Sequence, residues 1–190
     1  MNSNRVIPMT VCIDLLNPAE TSQVQACLNI YSPFIDQSAV SFESSVPTIT
    51  DFQERAVEVC KNYPWLLALK ENEILGYAYA ARHRGREGYQ WVAEVSVYLS
   101  DLARGQGLAS LLYQQLFELL RSQNIYQVYA GITLPNPASQ KFHLREGFED
   151  IGTYKKIGYK FGCWHDVYWC AKELRSLEKK PAAFIPHPKL

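Results

Sequence analysis

Three features of the sequence carry groups that could do chemistry. The first is the run Arg104, Gly105, Gln106, Gly107, Leu108, Ala109 and Ser110, which lies between an apolar strand-like stretch and a leucine-rich helical one. Two glycines before a helix let the main chain turn tightly and approach a ligand closely. The first N–H groups of a helix have no internal partner, and the helix dipole favours an anion there by about 0.3–2 kcal/mol. Arg104 adds a full charge on a forked donor. A diphosphate would satisfy all of these groups together. The plainer alternative is that Gly105 and Gly107 only shape a strand–helix turn. A dinucleotide fingerprint would need a third glycine and a following acid, and a P-loop would need Lys-Ser/Thr; neither is present.

The second feature is Glu94, a lone carboxylate within the apolar stretch VAEVSVYL. An apolar surround would raise its pKa toward a value useful to a general base. The alternative is a sheet-face Glu paired with a nearby arginine. The third feature is His143, on a segment with helical character, whose imidazole titrates near neutral pH. Its alternative is a polar residue on the outer helix face. The remaining histidines, His83, His165 and His187, have no comparable context and read as structural or solvated.

The elements that must position these groups follow from periodicity. Alternation along 90–99 predicts a strand with Val95, Val97 and Leu99 on one face and Glu94, Ser96 and Tyr98 on the other. Leu108, Leu111, Leu112, Leu116, Leu119 and Leu120 predict a helix over 108–121. A helix over 137–146 ends at Gly147, a suitable left-handed terminator. Further strands are expected at 11–16, 65–69, 74–81, 125–132, 149–156 and 163–174, and helices at about 17–31 and 51–62. This order gives an α+β domain with a mixed, twisted central sheet flanked by helices in three layers, and a parallel crossover from residue 99 to residue 125. Residues 1–10 read as a leader, 11–174 as the domain, and 175–190, with Pro181, Pro186 and Pro188, as a loosely attached tail.

Composition narrows the classes. The chain has 190 residues, 47% hydrophobic and 20% charged, which suits a single globular domain. Its 19 basic and 19 acidic side chains cancel, which argues against nucleic acid or an anionic membrane as main partner. The five cysteines are odd in number and lack CxxC spacing, so neither a disulfide framework nor a metal site is expected. With no signal peptide and no run of about 18 apolar residues, the expectation is a cytoplasmic protein.

RGQGLA resembles the Q/R-x-x-G-x-G/A motif of the GNAT N-acetyltransferases, with Arg104, Gly107 and Ala109 at the defining places. EVSVYLS upstream and LPNPASQKFHLREGF downstream extend the likeness. NYPWLLALKENEILGYAYA, the loop 84–89, WVAEVSVYL, LPNPAS and GYKFGCWHDVYW are similar to one branch, the phosphinothricin and methionine sulfoximine acetyltransferases, over about residues 12 to 174. The loop RHRGREG departs from that branch.

The resemblance implies a GNAT fold and acetyl-CoA as co-substrate, without a metal. Its pantetheine arm would pair with main-chain groups of Val97, Tyr98 and Leu99 where the strand splays, with Asn136 and, more weakly, Ser139 nearby. Asn136 could equally be a helix N-cap before Pro137. Glu94 would be the base, and His143 would stand where many members carry a Tyr that protonates the thiolate. Arg84 and Arg86 would grip an acceptor's anionic groups, or form an exposed basic turn. Phe42 and Tyr89 would wall the pocket, or belong to the core. Trp164 and Asp166 belong to a C-terminal motif that could meet a partner or fix the local strand, and a homodimer is expected. The implied reaction is acetyl transfer to the amino group of a small amino acid analogue. Another small amine, a peptide N-terminus, or a sensor that binds acetyl-CoA without turnover are the competing readings; retention of Glu94 and His143 counts against the sensor.

Overall fold

The computed structural model describes residues 11–187; the expected leader 1–10 lies outside them. Seven strands form one sheet in the order β1-β2-β3-β4-β5-β7-β6. They are β1 Cys12–Leu15, β2 Trp65–Lys70, β3 Glu73–Arg82, β4 Val92–Leu99, β5 Gln127–Thr133, β6 Glu149–Lys160 and β7 Cys163–Glu173. The helices are α1 Thr21–Asp36, α2 Ile49–Cys60, α3 Leu108–Ser122 and α4 Pro137–Arg145. All neighbouring strands are antiparallel except β4 and β5.

Local chemistry explains the elements. The two-residue turn Glu71-Asn72 has φ of 51° and 68°, so the β2–β3 hairpin closes with the twist its strands require. Thr48 caps α2, accepting from the Asp51 N–H at 3.2 Å while its hydroxyl donates to the Asp51 carboxylate at 2.7 Å. α1 runs past the expected stop at Tyr31 and carries Pro33 inside its last turn, because Ile35 beyond it is 1% exposed in the core. The apolar stripe of α3 is centred on Leu108, Leu112, Tyr113, Leu116, Phe117 and Leu120, all buried. The expected members Leu111 and Leu119 are only half-buried at its margins.

The sheet separates two apolar layers. On one face Leu112, Leu116 and Leu120 pack with Ala80, Val95 and Val128. On the other Val24, Cys27, Ile35 and Phe52 pack with Trp65, Leu67 and Tyr77. Burial of these side chains contributes about 1.5–3 kcal/mol each relative to exposure.

The tail, expected to be loose, is tied down over 182–187. The Trp91 indole donates to the Ala182 carbonyl at 2.7 Å. The Gln123 side-chain amide donates to the Asn62 carbonyl at 2.5 Å and to Ile185 at 2.9 Å. Asn124 donates to the Ala183 carbonyl at 2.7 Å, and the Phe184 ring packs 5.6 Å from Tyr63. Proline content signals an irregular path, and irregular chain can still be held by side chains beneath it.

Candidate active site

The sheet opens where the chemistry is expected. β4 and β5 pair only at Val92–Gln127, Ala93–Val128 and Glu94–Tyr129. β4 continues to Leu99 and stays paired with β3 up to that residue. Its β5-facing edge over 95–99 therefore has no strand partner, and a wedge opens just past Glu94. Val95, Ser96, Val97 and Tyr98 form one wall of this cleft, with Ala130 to Thr133 of β5 opposite; Tyr113, Asn136, Ser139 and His143 close one side, and Val40 also lines it. Unpaired strand edges in a cleft can accept an extended amide-bearing arm as an added strand.

At the far end of β4, Gly105 and Gly107 adopt φ of 75° and 79°, left-handed values that disfavour any side chain with a Cβ. Gly107 is the N-cap of α3. Among the described residues the N–H groups of Gly105 to Ser110 have no acceptor. This is the donor set a diphosphate needs, so the site fits that group. Arg104 stands apart from it: its guanidinium meets Asp101 at 2.8 Å and lies 5.6 Å over the Phe34 ring. The Gln106 amide donates to the Leu102 carbonyl at 2.6 Å. The Ser110 hydroxyl donates to Glu146 at 2.5 Å, which fastens the start of α3 to the end of α4.

His143 is 5% exposed and both its ring nitrogens are engaged. Nδ1 lies 2.8 Å from the Ser139 carbonyl, which can only accept, so Nδ1 carries a proton. Nε2 is 3.1 Å from the Tyr113 hydroxyl. Burial lowers the His143 pKa below 6.5, against opposing contributions from the Ser139 contact and Glu146. The neutral ring thus accepts the Tyr113 proton at Nε2. Burial raises the Tyr113 pKa well above 10, keeping the phenol protonated. Asn136 does serve as N-cap, its side-chain oxygen accepting from the Ser139 N–H at 3.1 Å.

Glu94 lies on the opposite sheet face, with Tyr129 as its register partner. Its surround is not the apolar one expected: the side chain is 39% exposed, and Oε2 lies 3.2 Å from Nδ1 of His83. Its partner is thus a histidine rather than a loop arginine. The His83 ring is stacked on Tyr129 at 4.7 Å and 9°, and meets Trp169 edge-on at 5.5 Å. Sequence reasoning passed over His83, because only the tertiary approach of the β3 end to β4 reveals it. Tyr113 was likewise hidden within a helix read as a leucine stripe.

The loop after β3 carries the remaining candidates. Arg84 and Arg86 are exposed and make no ion pair among the described residues. Tyr89 is exposed in a short 3-10 turn. Phe42 is also exposed rather than core. Its ring sits against Gly158, where an added Cβ would collide with it, and 6.0 Å from His165. Lys160 fixes that neighbourhood, donating to the carbonyls of Ile35 at 2.6 Å and Ser41 at 2.7 Å. Asp166 accepts from the Lys156 N–H at 2.8 Å and from Lys155 at 3.0 Å, so it fixes the β6–β7 hairpin.

The family model of the acetyltransferase (GNAT) domain matches residues 18–169. The chain belongs to the GNAT acetyltransferase family. Among GNAT relatives, the phosphinothricin N-acetyltransferase of Streptomyces viridochromogenes is 34% identical over 81% of this chain and 85% of its own. The L-methionine sulfoximine/L-methionine sulfone acetyltransferase of Pseudomonas aeruginosa is 38% identical over 64% of this chain and 71% of its own. Among GNAT structures, a phosphinothricin acetyltransferase from Sinorhizobium meliloti in complex with acetyl-CoA superposes with a TM-score of 0.83 at 29% identity, covering 92% of this chain and 94% of that one. The fold expectation, a mixed sheet between helical layers, holds. This GNAT chain is an acetyl-CoA-dependent N-acetyltransferase.

Proposed function

We propose that the chain moves the acetyl group of acetyl-CoA to the amino group of a small amino acid analogue of the phosphinothricin or methionine sulfoximine type. The observation that carries this reading is the wedge between β4 and β5, with free donors at one end and Glu94 just beyond its apex. The names of the relatives support the acceptor class. Main-chain N–H groups of Gly105 to Ser110 hold the diphosphate, and the free edge of Val97 to Leu99 holds the arm, with Asn136 and Ser139 beside it.

An acceptor amine with a pKa of about 9–10 is only about 0.1–1% neutral near pH 7, so freeing its lone pair costs roughly 3–4 kcal/mol. Glu94, directly or through water, takes that proton. The amine nitrogen then bonds to the thioester carbonyl carbon as the C–S bond breaks. The departing thiolate takes the hydroxyl proton of Tyr113, which is hydrogen-bonded to Nε2 of His143 on the cleft wall, and the second proton shed by the acylated nitrogen returns through solvent and His143 to restore the phenol. Arg84 and Arg86, neither in an ion pair among the described residues, bind the acceptor's carboxylate and its second polar head, with Tyr89 and Phe42 at the rim.

A thiol-release assay over free amino acids, methionine sulfoximine, phosphinothricin and short peptides tests this reading. Turnover is expected with the two analogues. Turnover confined to peptides sinks the small-molecule acceptor, and acetyl-CoA binding without any turnover sinks catalysis by this chain.

The partner proposed for the β6–β7 hairpin is a second copy of the chain. Ile151, Ile157, Tyr159, Phe161 and Trp164 are each 57–61% exposed there, on the edge of the sheet. A patch of this kind marks an association surface. Sedimentation equilibrium is expected to give the mass of two chains, and Trp164→Ser to shift it toward one. The cytoplasm is the compartment proposed, since all five cysteines are free thiols. Among the described residues no helix is long and apolar enough to cross a membrane.

A further inference from the structure

His83 is a half-buried titratable side chain that touches the proposed base. It is 12% exposed as a side chain, whereas the loop that follows it is exposed throughout 84–89. Three strands hold its ring: it extends from the end of β3, stacks face to face on Tyr129 of β5 and meets the edge of Trp169 of β7. Gly131 leaves room for Trp169, because an added Cβ there would come within 3.1 Å of the indole. The fourth contact is polar, from Nδ1 to Oε2 of Glu94 across 3.2 Å.

A ring stacked on one aromatic side chain and met edge-on by a second has little rotational freedom, so its Nδ1 edge is held toward Glu94. A carboxylate on a strand has two free torsions and, at 39% exposure, would otherwise sample several directions. We propose that His83 is a positioning residue for Glu94: its Nδ1–H anchors Oε2 and leaves Oε1 directed to the acceptor amine. The inference rests on the reading of Glu94 as base. In the reaction His83 gives up no proton; the ammonium proton goes to Glu94 and from there to solvent, while His83 keeps its own.

The place of His83 in the chain adds a second consequence. It directly precedes Arg84, so the residue that anchors the base is also the first residue of the loop proposed to grip the acceptor. Movement of the loop on binding acts on the base through one peptide bond. The groups facing the imidazole are Glu94 from β4, Tyr129 from β5 and Trp169 from β7, with Arg82 and Arg84 adjacent on its own segment.

The test is a double-mutant cycle with the fastest acceptor from the amine panel. His83→Phe keeps the stack and removes the donor. His83→Asn restores an N–H close to the place of Nδ1. His83→Phe is expected to lower kcat/KM for the amine about 10–30-fold, mostly through kcat, with the acetyl-CoA KM unchanged. His83→Asn recovers most of that loss. The acidic limb of the kcat/KM profile, which reports the base, moves in His83→Phe and disappears in Glu94→Gln. In the Glu94→Gln background His83→Phe costs nothing further, because residues acting through one group are non-additive. Additive losses, or equal losses in His83→Phe and His83→Asn, overturn the proposal. Glu94→Gln with wild-type turnover removes the base itself, and His83 with it. An impaired Glu94→Gln beside a fully active His83→Phe leaves the base in place and removes only His83. Thermal melts of each variant separate a folding defect from these outcomes.

Discussion

The two ends of the cleft are made of different material. The end proposed to receive acetyl-CoA is main chain: the N–H groups of Gly105 to Ser110 and the unpaired edge of β4. The end proposed to receive the amine is side chain: Glu94, His83, Arg84 and Arg86, drawn from β4 and the segment after β3. Main-chain donors recognise what every acetyl-CoA presents, and they survive substitution of most side chains around them. Side-chain groups can be exchanged singly, so selectivity among amines resides there. On this reading a chain can keep the family's loop RGQGLA and still vary at the segment RHRGREG that carries Arg84 and Arg86.

Substitutions at the two ends should therefore separate cleanly in KM. The largest effect is expected from Gly107→Val. A branched side chain at φ of 79° is strained, and relief of that strain turns the loop's N–H groups away from the diphosphate. The acetyl-CoA KM is expected to rise about tenfold or more, since one to two hydrogen bonds to a charged group are each worth about 1.5–3 kcal/mol. The amine KM stays put. Arg86→Ala and Arg84→Ala reverse the pattern, raising the amine KM about three- to tenfold, the smaller range for exposed charges, and leaving acetyl-CoA alone. Initial-rate kinetics with both substrates varied measures all of these. A variant that moves both KM values together breaks the division. Arg104→Ala sharpens it: with the guanidinium engaged by Asp101, its removal should raise the acetyl-CoA KM less than Gly107→Val does.

The smallest effect concerns the wall between the two ends. His143 is neutral and buried in the folded protein, and its pKa lies below 6.5. The unfolded chain binds that proton more readily, so the stabilisation is present above about pH 6.5 and is lost as the pH falls through the lowered native value. Half-buried His187, its pKa also lowered by desolvation, acts in the same direction. The melting temperature is expected to drop by about 2–4 °C for each kcal/mol lost between pH 7.5 and 5.5. His143→Asn should flatten that slope; an unchanged slope removes His143 as its source.

The same division governs what could be read before the fold was known. The loop was legible because glycines, a helix start and an apolar stripe are contiguous in the chain, and local physics fixes what they do. The splay of β4 was legible only through resemblance. Glu94 was found as a charged residue in an apolar run, but its surround was misjudged, since periodicity says which face a side chain takes and not what stands beside it. His83 was invisible for that reason: Glu94, Tyr129 and Trp169 reach it from 11, 46 and 86 residues away in the chain. The two-nitrogen engagement of His143 depends on Tyr113, which lies 30 residues away.

The tied-down tail has a practical consequence for anyone cutting this chain. A boundary drawn by composition falls at Leu174, where the strands end and the prolines begin. Truncation there removes the carbonyl of Ile185 from the Gln123 amide, a side chain on a residue with 0% exposure, and uncovers the ring of Tyr63. Each buried donor left without its acceptor costs about 1–3 kcal/mol, a sizeable share of a small domain's margin. The compact unit that can be expressed, swapped or fused therefore extends at least to residue 187, and a tag appended beyond the tail is a gentler intervention than one grafted onto β7.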